Sequence, residues 1–516
     1  MIKKLTTIFL CFSVILISCT KLDEKLNGQL TFDQVSGGGS GANTGSLLSG
    51  VYESMQLPFQ NHERVLCLWE MTGDGLLGPT RGPDWDDNGQ LRVLYAHAWT
   101  PDHPFIRTIF NDLNGVVFGA TDLLQFNPTT QQQAEARFLR AMAQFMIFDG
   151  FNQLPYREPG GDELALPEVR KGMEAFDYIV SEIEDVLPDL PDSDTTIVWA
   201  NKNAAKVLLM KCYLNKGAFA NRAAPTFDAA DMTKVITLAD EIISSGLYSF
   251  STNYFDNFAP ANATIGKENI WVQKNTSTGA GEIRSRWHSG IHYNQEPGGW
   301  NGFTTLSDFY GKFEASDVRK GIAYPTGVGS HPNPGNRVNV GFLVGQQYDM
   351  KTGAPLQSRI PGQSLSYTPE VNLVETGGDL EVKGIRVYKY PVDWAHLGTQ
   401  NIDNDFVYFR LSDVLLMKAE ALLRTSAAGP ALTIVNAIRT NRGASALASV
   451  TLDNLLDERG RELYHEGWRR QDMIRFGKFL APKQLKPAES DPKFLLFPIP
   501  ATQIAGNPNL EQNPGY

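Results

Sequence analysis

The sequence has no excess of positive charge: its 516 residues carry 46 Lys and Arg against 57 Asp and Glu, a formal net charge of −11. That balance argues against nucleic acid or an anionic membrane surface as main partner, because phosphate binding needs clustered cations. Cysteine is scarce too, with four residues and no zinc-site spacing. The signatures of catalysis are missing as well. His465-Glu466 is not followed by the second histidine of a zinc-protease helix, and neither a G-x-S-x-G turn nor a G-x-x-x-x-G-K-[ST] phosphate loop occurs. His288 and His292 stand four apart in a Gly-flanked stretch without a third ligand nearby. The 57 acids leave glycosidase-type carboxylate pairs open, since the separation of about 5–10 Å they need is not written in a sequence. No catalytic residue, metal ligand or cofactor is assigned on these grounds.

Long apolar runs are absent with one exception. Lys3 and Lys4 precede an apolar stretch over residues 5–17, too short to span a bilayer comfortably, which ends Leu16-Ile17-Ser18-Cys19. Aliphatic residue, small residue, cysteine is the lipobox pattern of bacterial lipoproteins. The thiol takes a diacylglyceryl group, and cleavage makes Cys19 the mature N-terminus. Residues 1–18 thus read as a lipoprotein signal peptide, the alternative being an ordinary secretory signal. Acyl chains on Cys19 would hold the protein at a membrane without a spanning helix. Residues 19–46 are polar, are broken by Ser36-Gly37-Gly38-Gly39-Ser40-Gly41, and read as a flexible tether or an ordered strap. Cys67 and Cys212 sit in apolar surroundings and read as buried free thiols rather than a disulfide.

Aromatic residues are plentiful, at 10% with nine Trp, which excludes a disordered chain. Apolar residues recur at helical spacing in several places. Ala134, Phe138, Met142, Phe145 and Met146 form one stripe, and Phe176, Ile179, Ile183, Val186 and Leu187 a second, ended by Pro188. Ala204, Val207, Leu208 and Leu214 form a third, closed by Gly217, and Val235, Leu238, Ala239, Ile242 and Ile243 a fourth, closed by Gly246. Leu411, Val414, Leu415, Ala419 and Leu422 begin a C-terminal series continued by Ile434, Val435, Ile438, Leu452, Leu455, Leu456 and Leu463. Helices in pairs with short connections predict a mainly α fold of tetratricopeptide-like hairpins, although the spacings are too uneven for a true repeat of about 34 residues. Between about 247 and 406 Gly, Pro, Asn and Ser are dense, so this part is expected to be loop-rich and irregular, with short strands such as 385–390. The folded body is expected over 47–516: helical to about 246, loop-rich to about 406, helical again to the end.

The last third carries a recognisable signature. Residues 410–421 read R-L-S-D-V-L-L-M-K-A-E-A, residues 458–475 read E-R-G-R-E-L-Y-H-E-G-W-R-R-Q-D-M-I-R, and the chain closes on F-P-I-P and N-P-N-L-E-Q-N-P-G-Y. These blocks, with E-A-R-F-L-R-A at 135–141 and G-F-N-Q-L-P at 150–155, closely resemble the SusD/RagB family of outer-membrane nutrient-binding lipoproteins. The resemblance departs at Gly460 and at the doubled Arg469-Arg470. It implies a non-catalytic cell-surface protein, anchored in the outer membrane through Cys19, that captures oligosaccharides. It also implies a partner, a TonB-dependent SusC-like β-barrel transporter. Since some relatives resemble peptide-uptake components, capture of oligopeptides is the second reading. The residues of the signature themselves read as scaffold, with Glu466–Arg470, Arg459–Glu462 and Asp472–Arg475 at pairing distance along a helix and some members bridging helices. Glu462 and Glu466 read as structural rather than catalytic.

Sugar rings present apolar C–H faces to flat aromatic rings, and hydroxyls to amides, carboxylates and guanidinium groups. Two segments outside any helical stripe hold that mixture, residues 70–99 and 284–301. A shallow groove is therefore expected there, with Asp74, Arg81, Trp85, Trp99, Trp287, Tyr293 and Trp300 as ligand contacts. Packing is the alternative for Trp99 and Trp287. Trp85 and Trp300 are flanked by Gly, Pro, Asp and Asn, and favour exposed turns.

Overall fold

Helical periodicity becomes a stack of helices in which most successive helices pack on one another. The computed structural model describes residues 43–516 apart from 83, 163, 280 and 400. The expected signal peptide, Cys19 and the expected tether as far as residue 42 lie outside the described residues. Helix α1 (Thr44–Ser54) begins inside the segment expected as tether and packs on α2 (Pro104–Leu124). Then follow α3 (Thr130–Phe151), α4 (Gly172–Val186), α5 (Lys202–Ala220) and α6 (Ala229–Ser244). After the loop-rich segment come α7 (Leu411–Arg424), α8 (Ala428–Asn441), α9 (Leu452–Leu463) and α10 (Arg469–Arg475). Consecutive members from α2 to α8 are in contact, and so are α7 and α9. Because α6 packs directly on α7, everything between them is an insertion in the stack.

Local chemistry sets the helix ends. Thr129 caps α3 in a reciprocal box with Gln132, and Thr451 caps α9 in the same way with Asn454. Pro104 stands in the first turn of α2, where its missing N–H has no cost. Gly217 does not close α5, which runs on to Ala220. It marks a close approach instead, since a Cβ there would come within 1.5 Å of the Thr226 carbonyl oxygen. Helix α3 is buried almost all round and forms the centre of the core. Gly150, near its end, lets the C-terminal tail dock: Phe497 N–H donates to the Gly150 carbonyl at 2.8 Å. Cys67 and Cys212 are buried, free thiols.

The insertion carries the expected short strands. They include β1 (Asn269–Gln273), β2 (Gly321–Ile322), β3 (Val340–Leu343) and β4 (Arg386–Tyr388), followed by β5 (Phe406–Arg410), which leads straight into α7. Strand β3 pairs antiparallel with both β2 and β4, and β1 pairs antiparallel with β5.

A buried ionic cluster fastens the insertion to the helices. Arg410, the last residue of β5, donates to Glu462 at 2.6 Å and to Glu466 at 2.7 and 2.8 Å, and lies 3.2 Å from Glu268. Arg442 joins Glu268 (2.7 Å) to Glu462 (2.9 Å), and Arg319 joins Glu458 (2.7 Å) to Glu462 (2.9 Å). Burial alone would raise the Glu462 carboxyl, but Arg442, Arg410 and Arg319 hold it well below the usual carboxylate range. Two of the three expected helical pairs do not form. The chain leaves α9 at Tyr464, with positive φ at His465 and Gly467, so Glu466 and Arg470 do not share a helix. Glu466 faces Arg410 and Lys389, while Arg470 donates to the Leu495 carbonyl and Arg459 binds Asp413 and Asp472. Asp472 and Arg475 do pair, at 2.7 Å. Glu462 and Glu466 are thus cluster members.

Candidate functional site

Four of the seven residues expected at a ligand groove are structural. Asp74 is held between Arg469 (2.6 Å) and Lys312 (3.1 Å) and braces the start of α10. Trp99 is 2% exposed, packs against Phe494 and Phe497, and donates from Nε1 to the Tyr516 hydroxyl at 2.7 Å. Trp287 is 1% exposed and belongs to the main core. Arg81 is buried, with Nη1 donating to the carbonyls of Asn301 and Gly302 at 2.6 Å each and Nη2 to that of Lys383 at 2.9 Å. In the structure these four are engaged by ion pairs, core packing or backbone carbonyls. Trp99 and Trp287 take the packing alternative that the sequence left open, since long-range contacts bury them.

Arg81 nevertheless frames the site. With Arg386, which donates to Asn301 Oδ1 (2.7 Å) and to the Glu381 carbonyl (2.6 Å), it ties together the chain near 81, 301 and 383. The loop carrying Trp300 closes on itself through Trp300 N–H to the His288 carbonyl (2.8 Å) and Asn301 N–H to the Ile291 carbonyl (2.7 Å). The Arg81 bonds to Asn301 and Gly302 and the Arg386 bond to Asn301 are buried, so the loop is a braced mount for its side chains.

Trp85 and Trp300 meet on that mount. Trp85 adopts φ 60°, a left-handed conformation that costs a bulky residue about 1–3 kcal/mol and is held by its surroundings. Its Nε1–H donates to the Trp300 carbonyl at 2.8 Å. Its ring fills the space above Gly302, where a Cβ would lie 2.2 Å from the indole. The two indole centroids are 6.4 Å apart, and Trp300 is 41% exposed. Beneath Trp300 the His288 ring stands edge-on at 4.5 Å, with His62 at 5.1 Å. Burial, aided by Arg284 for His288 and by Arg286 for His62, lowers both imidazoles to about 4. At neutral pH the indole therefore rests on uncharged rings.

A polar rim adjoins the rings. Arg359 lies 4.1 Å over the face of the half-buried Tyr293 and 3.3 Å from Asp84, and it pairs with Glu381. The Tyr293 hydroxyl is 3.4 Å from Asp84. His292 Nε2 stands 2.9 Å from Glu381. Burial pushes the Glu381 carboxyl up, but the backbone N–H and guanidinium of Arg359, with His292, more than offset it and leave it lowered. Sequence reasoning missed His62, His288, Arg359 and Glu381 as site members. His288 stood inside a chosen segment but was weighed only as a metal ligand, and nothing local marks Arg359. Chemically, exposed indole and phenol faces beside carboxylate and guanidinium groups suit a ligand with apolar C–H faces and many hydroxyls. Elsewhere, Asp393, His396 and Asp403 lie close enough to share a cation, but His396 bonds Asp393 at 2.8 Å and backbone N–H groups take the carboxylates.

The model of the SusD family matches residues 267–482. The starch-binding protein SusD of Bacteroides thetaiotaomicron is 25% identical over 485 residues, covering 84% of this chain and 82% of that protein. Among solved structures, a SusD superfamily protein of Parabacteroides distasonis superposes with a TM-score of 0.69 at 20% identity, covering 95% of this chain and 100% of that one. Surface glycan-binding protein A of Bacteroides thetaiotaomicron, in complex with laminarihexaose, superposes with a TM-score of 0.66 at 18% identity, covering 91% and 98% of the two chains. At these identities the superpositions speak to the fold.

Proposed function

Because the chain belongs to the SusD/RagB family, we propose that it is a non-catalytic cell-surface protein that binds nutrient oligosaccharides. It delivers them to a TonB-dependent SusC-like transporter in the outer membrane, where Cys19 anchors it. The observation that carries this reading is the Trp85–Trp300 pair with the Tyr293–Asp84–Arg359 rim, a braced aromatic platform whose neighbouring polar groups match a sugar's two kinds of surface. Trp85, Tyr293 and Trp300 are the proposed ligand contacts, with Asp84 and Arg359 added. Relatives whose names describe binding of starch and of laminarihexaose support the ligand class. Among the described residues no helix is long and apolar enough to cross a membrane. A tethered binder cannot move its ligand across a bilayer, so a channel partner is required.

The test is calorimetric titration of the purified chain with neutral oligosaccharides, maltohexaose and laminarihexaose among them, on the wild type and Trp300→Ala. Loss of about ten- to a hundredfold in affinity is expected, by analogy with the worth of a stacked aromatic contact. A chain that ignores every oligosaccharide but binds oligopeptides would overturn the carbohydrate reading in favour of peptide capture. Co-purification from native membranes in mild detergent tests the transporter; a subunit that always runs alone counts against it.

A further inference from the structure

A second cleft in the insertion combines rings, amides and unpaired cations. Its volume is about 390 Å³, within the range of about 300–1,000 Å³ typical of small-ligand pockets. Tyr310, Lys320, Asn336, Arg337, Gln347 and Tyr348 supply its polar and aromatic lining, above strand β3. Lys320, which ends the short turn leading into β2, places Nζ 4.2 Å from the centre of the Tyr310 ring and donates to the Phe313 carbonyl at 3.0 Å. Arg337, on the loop leading into β3, lies 3.8 Å over the Tyr348 ring, and its buried Nε has no hydrogen-bond partner. Among the described residues neither cation forms an ion pair, and the lining includes no carboxylate. In a chain of net charge −11, two cations facing one cleft without an acid leave its positive charge uncompensated. Field lines focus in such a concavity and draw in anions.

We propose that this cleft is a second carbohydrate subsite that selects an anionic sugar, its carboxylate or sulfate group received by Lys320 and Arg337. The rings argue for a sugar over a bare ion: inorganic anions need donors only, whereas Tyr310 and Tyr348, each with a cation over one face, also give the cleft apolar aromatic surface. Asn336 and Gln347 add amides for its hydroxyls. Arginine's planar fork fits both carboxylate and sulfate oxygens, and Lys320 contributes a point charge. The proposal rests on the reading of the chain as an oligosaccharide binder and narrows the ligand to acidic glycans.

The test titrates the whole mature chain with tetragalacturonate, a κ-carrageenan tetrasaccharide, which bears sulfate and no carboxylate, and the carboxyl-reduced, neutral counterpart of the first. Each is run at low and at high salt. At least one acidic probe is expected to bind more tightly than the neutral one, with affinity falling as salt rises. The two acidic arms tell carboxylate from sulfate. Arg337→Gln and Lys320→Gln should each weaken acidic binding about tenfold, the worth of one charge-assisted hydrogen bond, and leave neutral binding unchanged. Arg337→Lys should restore part of the loss. Melting temperatures confirm that the variants are folded; Arg337, which makes no buried ion pair, serves if Lys320→Gln unfolds. Neutral oligosaccharides binding while both acidic probes fail would overturn this proposal and leave the carbohydrate function standing. Acidic binding that is indifferent to Arg337→Gln would also overturn it. Failure of every oligosaccharide would bring down both.

Discussion

Glu70 offers a test of the fold's energetics that needs no ligand. It lies 1% exposed on the irregular helix His62–Met71, with Oε1 accepting the backbone N–H groups of Gly467 (2.6 Å) and Trp468 (3.2 Å). Burial raises its carboxyl from 4.5 to about 7, against the opposing pull of the Gly467 N–H, Lys389, the His465 backbone and Arg469. Below pH 4.5 the folded and unfolded chains both hold the proton, and the group's contribution is fully present. Between 4.5 and about 7 the folded chain keeps a proton that the unfolded chain releases, so stability falls as pH rises, levelling off above about 7. A span of about 2.5 pH units corresponds to about 3 kcal/mol. Glu70→Gln keeps an acceptor oxygen for both N–H groups and cannot ionise, so it removes that slope. Urea unfolding followed by Trp fluorescence and circular dichroism at pH 5, 6, 7 and 8 reads the difference between variant and wild type. The variant is expected to gain about 2–3 kcal/mol relative to wild type from pH 5 to pH 8. A difference that stays constant across that range would refute the reasoning, since it would mean that Glu70 titrates alike in both states.

Glu462→Gln should destabilise the chain by about 3–5 kcal/mol at neutral pH, because three buried arginines lose one shared carboxylate. Glu462 titrates below its ordinary value, so this cost belongs above pH 4.5 and shrinks as acid protonates the wild-type group. Denaturation at pH 7 and pH 3.5 measures both. Trp287→Ala should cost about 3–5 kcal/mol of stability while its folded fraction binds oligosaccharide normally, the reverse of Trp300→Ala. Melting and titration on the same samples separate the two. Gly302→Ala should displace the Trp85 ring, which a Cβ would approach to 2.2 Å, and weaken oligosaccharide binding with little change in melting temperature.

Helices α3 to α9 were legible because their large apolar residues recur at helical spacing, a periodic signal that persists even in α3, which is buried almost all round. Helix α2 was not, although Pro104 opens it and Ile106, Ile109, Phe110, Leu113, Val116 and Val117 all turn inward. Gly115 and Gly119 weaken its apparent propensity, although a Cβ would fit at either position, Val51 of α1 standing at an ordinary contact distance of 3.8 Å from that of Gly119. Ion-pair partners were illegible for a related reason: the break at Tyr464 moves Glu466 off the helix and toward Arg410, 56 residues away in sequence. In the two ligand segments, flanking turn residues pointed to Trp300, which is exposed, but the same kind of flank surrounds Trp99, which meets Tyr516 across 417 residues. Local sequence marks a turn; only distant packing decides whether the turn is covered.

The family signature and the candidate ligand surface are therefore different parts of the molecule, and the buried charges explain why. Arg319, Lys389 and Arg410 come from the insertion, while Arg442, Glu458, Glu462 and Glu466 come from the C-terminal helices or the turn after them. A purely apolar seam between these parts would tolerate sliding. Guanidinium–carboxylate contacts do not, because a displaced pair leaves buried charge uncompensated at a cost of about 3–5 kcal/mol. The signature residues thus set the angle at which the insertion is presented. Trp85, Tyr293, Trp300, Lys320 and Arg337 lie on loops of the same molecule but outside those motif blocks. Such loops can change without disturbing the clamp. It follows that the signature identifies the frame, and that the proposed platform and cationic cleft are where substitutions should alter recognition while the clamp keeps the fold.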